Sequence, residues 1–537
     1  MTLPSMPNRD RIRQNVQIQF YGLNHTRAAE AGLYDMVNIT GDDFPLISSR
    51  PPRYKVAQIE KPNGLFSHNG LWWASGTRLY HDGVLVSDGF EDSYKTFAAV
   101  DDRLIVFPDK KLVRAYQVGG NTAYAVIPME ATAEGTCDIE DGTIYGEEAT
   151  ANTLHLQSGA WPFAPGDGVK ITGATDDRNN LTLVVQEVDG AYLRFADNSF
   201  HSTAQGQSLS VKREVPDLDF IFMHANRLWG CKGDQIWCSA QGNPSVFYDL
   251  QGLGNSAWAT DTGTPGNFTG ACSFLGYPTF FKEDYIFRVY GEYPANYGFI
   301  QNSTMGVMEG SGKSLAIAGD VLFYLGRSGF IRYTGGHAAT IHDAFGEWRY
   351  QNAVAGSDGL RYYVRATQGG GDSLLVYDTR TQAWFKQDTN HAVDFAWAGD
   401  LYWLDAVGNL WLEGNPRSPR GTIEDPLTIR SMAELADFTN RDPNRKGTGK
   451  LLLRMGLDPG ASVRVRMQFD GGWTPREDIW TDVAEVRNDG TIYDTKRTYT
   501  LPIIPRRSDH YRIRIEGTGG WTLYSLTREE YSGSEVH

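Results

Sequence analysis

Several groups of residues in this chain have the types that chemistry uses. Gly312-Lys313-Ser314 matches the end of a phosphate-binding loop, in which backbone N–H groups and the lysine hold a polyphosphate. That loop needs a glycine at position 307, where the chain has Val307; Gly306 falls one residue early. It also needs a helix after Ser314 to aim N–H groups at the phosphate, and residues 315–325 read as a connection followed by a strand. A glycine-rich turn accounts for the tripeptide.

Gly371-Asp372-Ser373-Leu374 spells the nucleophile motif of one lipase family, which needs an α/β domain around it and a downstream Asp-x-x-His. Here the tetrapeptide opens a β-rich run in mid-chain, and Asp509-His510 has the wrong spacing. For metals, the chain offers no Cys-x-x-Cys and no His-x-x-x-His. Cys231 and Cys238 read as core residues on adjacent strands. The run from Asp176 to Glu187 matches a calcium loop at its ends but has Arg178 at a ligand position and Leu181 where the turn needs glycine. Asp217 with Asp219, and Glu283 with Asp284, are carboxylate pairs of the kind a glycosidase uses, yet 65 acidic residues produce such pairs by chance. His224 reads as a partly buried histidine satisfied by backbone. No catalytic, cofactor-binding or metal-binding residue is therefore assigned, no cofactor is expected, and the expectation is a non-enzymatic protein.

The elements that would carry any site are β-strands. The 537 residues include 59 Gly, 23 Pro, 14 Trp, 27 Tyr and 25 Phe, with 41% hydrophobic residues and a net charge of −15. That apolar content can offset chain entropy, which excludes a disordered chain. No uncharged apolar stretch of about 18 residues occurs, and the N-terminus has no apolar run after its charges. Synthesis in a cytoplasm, no membrane insertion and reduced cysteines are the expectations. Residues 425–537 hold 17 basic and 17 acidic side chains, so the whole −15 falls on residues 1–424, with 33 basic and 48 acidic. An acidic body lacks the clustered cations that hold nucleic acid, but can line a path along which a polyanion slides without sticking.

Apolar runs follow a polar or glycine turn at 69–73, 102–107, 226–229, 276–281, 319–324, 359–364 and 399–403, the last five at intervals near 40 residues. That is the length of a four-stranded propeller blade, so seven candidate blades are counted. Hairpin turns at His81-Asp82-Gly83, Arg327-Ser328-Gly329 and Val407-Gly408-Asn409 lead into further strands. Val376 to Trp384 resembles the outer hairpin of a kelch blade, a tyrosine strand turning into a tryptophan strand.

The gap between the second and third runs holds an insert at residues 120–213, with strands at 169–172, 181–185 and 191–195, read as a small β-barrel or sandwich. Beyond Gly414 longer alternating strands such as Val463–Phe469 and Tyr511–Glu516 predict a C-terminal β-sandwich with Arg464, Arg466, Arg512 and Arg514 pointing outward. Helix is suggested only at 27–37 and 426–437. The expected organisation is an all-β chain: an arm at 1–55, the first blades at 56–119, the insert at 120–213, the remaining blades at 214–420 and the sandwich at 421–537. Val16-Gln17-Ile18-Gln19-Phe20 is the candidate strand to close the ring.

Residues 64–73, 107–111, 222–230, 275–284, 310–327 and 501–507 resemble β-propeller structural proteins of tailed-bacteriophage virions. The resemblance spans most of residues 40–515. It implies a virion tail component similar to nozzle and hub proteins, self-assembled into a homo-oligomeric ring around the DNA exit channel and serving genome retention and ejection. Portal-adaptor or other tail proteins and fibres would be its neighbours, and DNA would pass without tight binding. A carbohydrate-binding or glycan-depolymerising tail protein for host attachment is the alternative, since tryptophan and tyrosine faces stack on sugars.

Overall fold

Each of the seven turn-then-apolar runs occupies the same place in the structure, the second strand of an antiparallel sheet of four strands, or five in the last, where Thr422–Ile423 adds to Tyr54–Gln58. The computed structural model describes residues 11–26, 31–142, 152–439, 445–470, 480–490 and 495–532. All regular structure among them is β apart from five short 3₁₀ turns. Two compact units are formed, one from residues 1–67 and 313–537 and one from residues 68–312.

The second unit begins after the strand Pro62–Ser67 with Leu71–Ser75, Arg78–His81 and Val84–Ser87. Three full meanders follow, at Thr96–Val100 to Asn121–Pro128, Phe220–His224 to Trp258–Asp261, and Gly270–Phe274 to Gly298–Ser303. Their cores are aromatic: Trp229, Phe268, Phe280 and Phe287 pack with Cys231 and Cys238. The insert is one seven-stranded sheet between Ala131 and Arg213, with Ile139, Leu154, Val169, Ile171, Leu193, Phe195 and Val211 in its own core. It starts later than residue 120, because Asn121–Pro128 pairs residue by residue with Lys111–Val118 and belongs to the preceding meander.

In the first unit two meanders run from Ala316–Ala318 to Ala338–Thr340 and from Gln351–Ser357 to Ala383–Lys386. Tyr377 faces Trp384 across the last hairpin with ring centroids 5.0 Å apart, as the kelch-like pattern requires. The last meander supplies only Ala392–Trp397, Leu401–Asp405 and Asn409–Leu412. Its fourth strand is Tyr54–Gln58, from the other end of the chain. The expected closing strand was Val16 to Phe20, and this is a correction: Arg11–Gln17 instead pairs with Trp521–Ser532, in register from Arg11 opposite Ser532 to Gln17 opposite Leu526. Tyr54–Gln58 is followed by Ile59, whose N–H donates to the Gly408 carbonyl at 2.7 Å.

The C-terminal region forms two six-stranded sheets, and both recruit strands from residues 11–49. One orders Ile39–Thr40, Ile47–Ser49, Trp521–Ser532, Lys446–Leu457 and Lys496–Ser508, with Arg11–Gln17 also on Trp521–Ser532; the other orders Tyr21–Leu23, Gly32–Val37, Arg430–Leu435, Tyr511–Thr518, Ser462–Phe469 and Thr481–Arg487. Alternate residues Leu451, Leu453 and Met455, and Val463, Val465 and Met467, are buried, as strands with one covered face require. Trp521 Nε1 donates to Ser431 Oγ at 2.7 Å from one sheet to the other. The residues 1–55 are thus no separate arm.

The helices suggested at 27–37 and 426–437 are overturned. Gly32–Val37 and Arg430–Leu435 pair with each other as strands, and only Pro426–Thr428 makes a 3₁₀ turn; residues 27–30 lie outside the described ones. The outward arginine row is corrected too. Arg464, Arg466 and Arg514 do share a face, but Arg512 on that face is 1% exposed, beneath the Tyr34 ring.

Candidate functional site

Two arginines close together in sequence, Arg50 and Arg53, sit where the chain leaves the two-sheet body and enters the last meander. Pro51 and Pro52 hold the intervening backbone extended. The Arg53 side chain is fully buried. Its guanidinium donates to Asp388 Oδ2 and Gln387 Oε1 at 2.5 Å and to Glu413 Oε2 at 3.1 Å, and lies 4.9 Å from the centre of the Trp403 ring. Trp403 Nε1 donates to the same Glu413 oxygen at 3.0 Å. Arg50 donates to Glu424 at 2.7 Å and to Asn38 Oδ1 at 2.7 Å, and the Arg53 N–H also donates to Glu424. Burial pushes Asp388 up, but Arg53 and the Asn390 N–H more than reverse this, and its carboxyl stays below the ordinary range. Burial likewise disfavours the Arg53 cation, and Asp388 and Glu413 overcome it. Each of the three carboxylates, Asp388, Glu413 and Glu424, pairs with one of the two guanidiniums. Such a cluster fixes geometry and leaves no acid or base free to move a proton.

Beside Arg50 is a polar cleft of about 350 Å³ lined by Asp42, Asp43, Ser48, Asp458 and Tyr524. Two of its three carboxylates are engaged: Asp42 pairs with Arg361 at 2.5 Å and Asp43 accepts from Ser48 Oγ at 2.6 Å.

The residues singled out in the sequence are placed apart. Gly312-Lys313-Ser314 is a 3₁₀ turn, and a Cβ on Gly312 would overlap the Phe220 ring and the Thr269 carbonyl. Burial pushes the Lys313 amine down to about 8, partly opposed by Asp394. Ser314 Oγ accepts from the Leu325 N–H inside the sheet. Asp372 and Ser373 are neighbours in one strand and so point to opposite faces. His391 Nδ1 is 2.5 Å from Asp372 Oδ2, an acid–imidazole pair that sequence reasoning missed because Asp372 is on the strand Gly371–Asp378 and His391 is in the connection before Ala392–Trp397.

Asp217 is paired with Lys110 and Asp219 with Lys232, each at 2.7 Å, so these carboxylates do not converge. Glu283 accepts from the Glu309 N–H. Asp176 caps the 3₁₀ turn Asp177–Asn179 and holds the Arg178 guanidinium, a counter-ion in the place a calcium would need. Burial drives the Cys231 thiol well up and Cys238 to about 12. His224 is satisfied by the Ser273 hydroxyl at 2.9 Å rather than by backbone. Among the described residues no group of three or more His, Cys, Asp or Glu could hold a metal, and no helix is long and apolar enough to cross a membrane.

No family model matches the chain, and no curated protein matches it in sequence. Among solved structures it is similar to Hsv2 of Kluyveromyces lactis, with 13% identity over 38% of this chain and 66% of that one and a TM-score of 0.26. PorZ of Porphyromonas gingivalis, a surface component of the type-IX secretion system, has 11% identity over 82% of this chain and 71% of its own, at 0.27. An arabinoxylan arabinofuranohydrolase of Bacillus subtilis has 8% identity over 89% and 97%, at 0.18. Likeness at these TM-scores bears on neither fold nor function.

Proposed function

We propose that the seven meanders are the blades of one β-propeller, closed by Tyr54–Gln58, and that the chain is a non-enzymatic structural component of a tailed-phage virion. In this reading the C-terminal sheets form a sandwich, and the protein assembles as a homo-oligomeric ring around the DNA exit channel. One observation supports it above the others: the last meander is completed by a strand from the opposite end of the chain, the closure by which a propeller removes its open edges. The acidic surplus of residues 1–424 fits a wall that DNA passes without adhering. The engaged charges around Arg53 fit a part that bears load. The glycan reading draws on fewer rings than the composition suggests, because Trp72, Trp229, Trp384 and Trp403 are buried in sheet cores, and it rests on exposed ones such as Trp397, Tyr290 and Tyr293.

Electron-microscopic imaging of the purified full chain tests this proposal, with cyclic particles around a central channel as the expected result. Turnover of a bacterial capsular polysaccharide by particles lacking a ring would replace it with the glycan reading.

A further inference from the structure

The strand Lys496–Ser508 is an outer edge of its six-stranded sheet, pairing on one side with Lys446–Leu457. Its register breaks in the middle: Arg506 faces Thr448 and Pro502 faces Lys450, so Ile503, Ile504 and Pro505 together oppose only Gly449. A bulge of this kind re-aims a side chain away from the sheet. Ile504 is 89% exposed, more than any other large apolar residue described. Immediately after it stand Arg506 and Arg507, both exposed and neither with a carboxylate partner among the described residues; the Arg506 guanidinium lies 5.5 Å from the Phe469 ring. The thirteen residues of the strand include four cations and no carboxylate.

Cations on an edge strand can serve simply to repel other edges, and Pro502 also prevents a continuous ladder. That role does not explain an isoleucine at the apex, which exposes apolar area where an edge designed only to repel would carry charge. A nucleic acid would engage the arginines and leave Ile504 in water. A protein surface with a small apolar pocket inside an acidic rim would use all three residues.

We infer that the Ile504 bulge is a docking knob for a second copy of this chain, received on the acidic surface of residues 1–424. Charge complementarity carries the choice of partner, because those residues hold 48 acidic against 33 basic side chains while the knob is purely cationic. A contact of knob on knob would bring Arg506 and Arg507 of both copies together, so the knob meets a different surface of the second copy, which a head-to-tail ring contact allows. The inference rests on the proposed ring and gives it a contact.

Sedimentation velocity of the full chain over a range of concentrations tests it, comparing wild type with Ile504→Asp and with the pair Arg506→Glu and Arg507→Glu. Wild type is expected to form one discrete assembly. Each variant should raise the assembly midpoint on the order of tenfold or more, the effect of one lost apolar anchor or one reversed charge pair. Melting curves establish that the variants are folded, and Ile504→Ser replaces Ile504→Asp if the latter melts early. Wild type and variants assembling at the same concentration overturns the knob and leaves the ring standing. A wild type that is monomeric throughout overturns both. Loss of duplex-DNA binding by the arginine variant with assembly unchanged reassigns the edge to a polyanion.

Discussion

The meanders and the two-sheet body are built from contacts of opposite range. In a meander each strand pairs with the next, as Tyr362 does with Tyr377, and the core is apolar and aromatic. The body joins Arg11 to Ser532 and Leu33 to Leu435, so it needs both ends of the chain. Buried charge occurs in both, since Lys95 pairs with Asp109 and Arg361 with Asp378 inside single meanders, but its reach differs. Arg53 and Arg512, the largest fully buried cations, sit where distant segments meet. Meanders form from local turns at low loop-closure cost, whereas the body forms only when the whole chain is available. Paired charge at the joints gives those late contacts one geometry, since a misplaced partner leaves a buried ion uncompensated.

The sharpest way to break this comparison is Arg53→Met. It leaves Asp388 and Glu413 buried beside an apolar side chain, and about 3–5 kcal/mol of stability should be lost, read as a lower midpoint in urea. An unchanged midpoint would show that the joint is dispensable. Gly408→Ala comes next. Gly408 has φ +90°, and a Cβ there would lie 1.8 Å from the Ile59 carbonyl oxygen, forcing the closing strand away from Asn409–Leu412. A loss of up to about 3 kcal/mol is expected, with faster proteolysis between residues 50 and 60. Arg512→Leu should cost less, about 1–3 kcal/mol, because Arg514 still pairs with Glu434 at 2.7 Å after Arg512 is gone. If Arg512→Leu proved costlier than Arg53→Met, the ranking of the two joints would be reversed.

What could be read from the sequence follows the same line. The seven second strands were legible because each lies next to its own turn, and Leu401-Tyr402-Trp403 after Gly399-Asp400 needs nothing distant to identify it. The insert was legible from Val169–Thr172 and its neighbours, although its start was misplaced because Asn121–Pro128 is as β-rich as the insert itself. The partner of Trp521–Ser532 was not legible. Neither Arg11–Gln17 nor Tyr54–Gln58 alternates strictly, and the choice between them is made by Arg53 and Gly408, whose partners Asp388 and Ile59 carry no local signal. The cluster around Arg53 stayed hidden for this reason: its acids come from positions 388, 413 and 424, each ordinary in its own surroundings. The Ile504 bulge was present in the stretch Leu501 to Arg507, but only the register shows three residues facing one.

The smallest effect concerns protons and separates the two kinds of contact again. Burial holds the imidazoles of His25, His342 and His224 below their ordinary range; Asp35 partly opposes this at His25. In the unfolded chain these rings take up a proton near pH 6.5, and in the folded chain only at lower pH. Stability from the neutral rings is therefore complete above about pH 6.5 and is lost as the pH falls below it toward the folded values. His25 marks a long-range contact, stacked on Trp348 at 3.8 Å with its backbone N–H on the Ala344 carbonyl, while His224 lies within neighbouring meanders against Ser273. Urea midpoints measured between about pH 7.5 and 5 should decline for the wild type. The slope should flatten more for His25→Gln than for His224→Gln, because protonated His25 must leave a stacked aromatic site, whereas His224 already sits beside a hydroxyl that can turn to accept from it. Equal slopes for the two variants would mean that acid loosens the meanders as readily as the joints, and the division drawn from contact range would not extend to protonation.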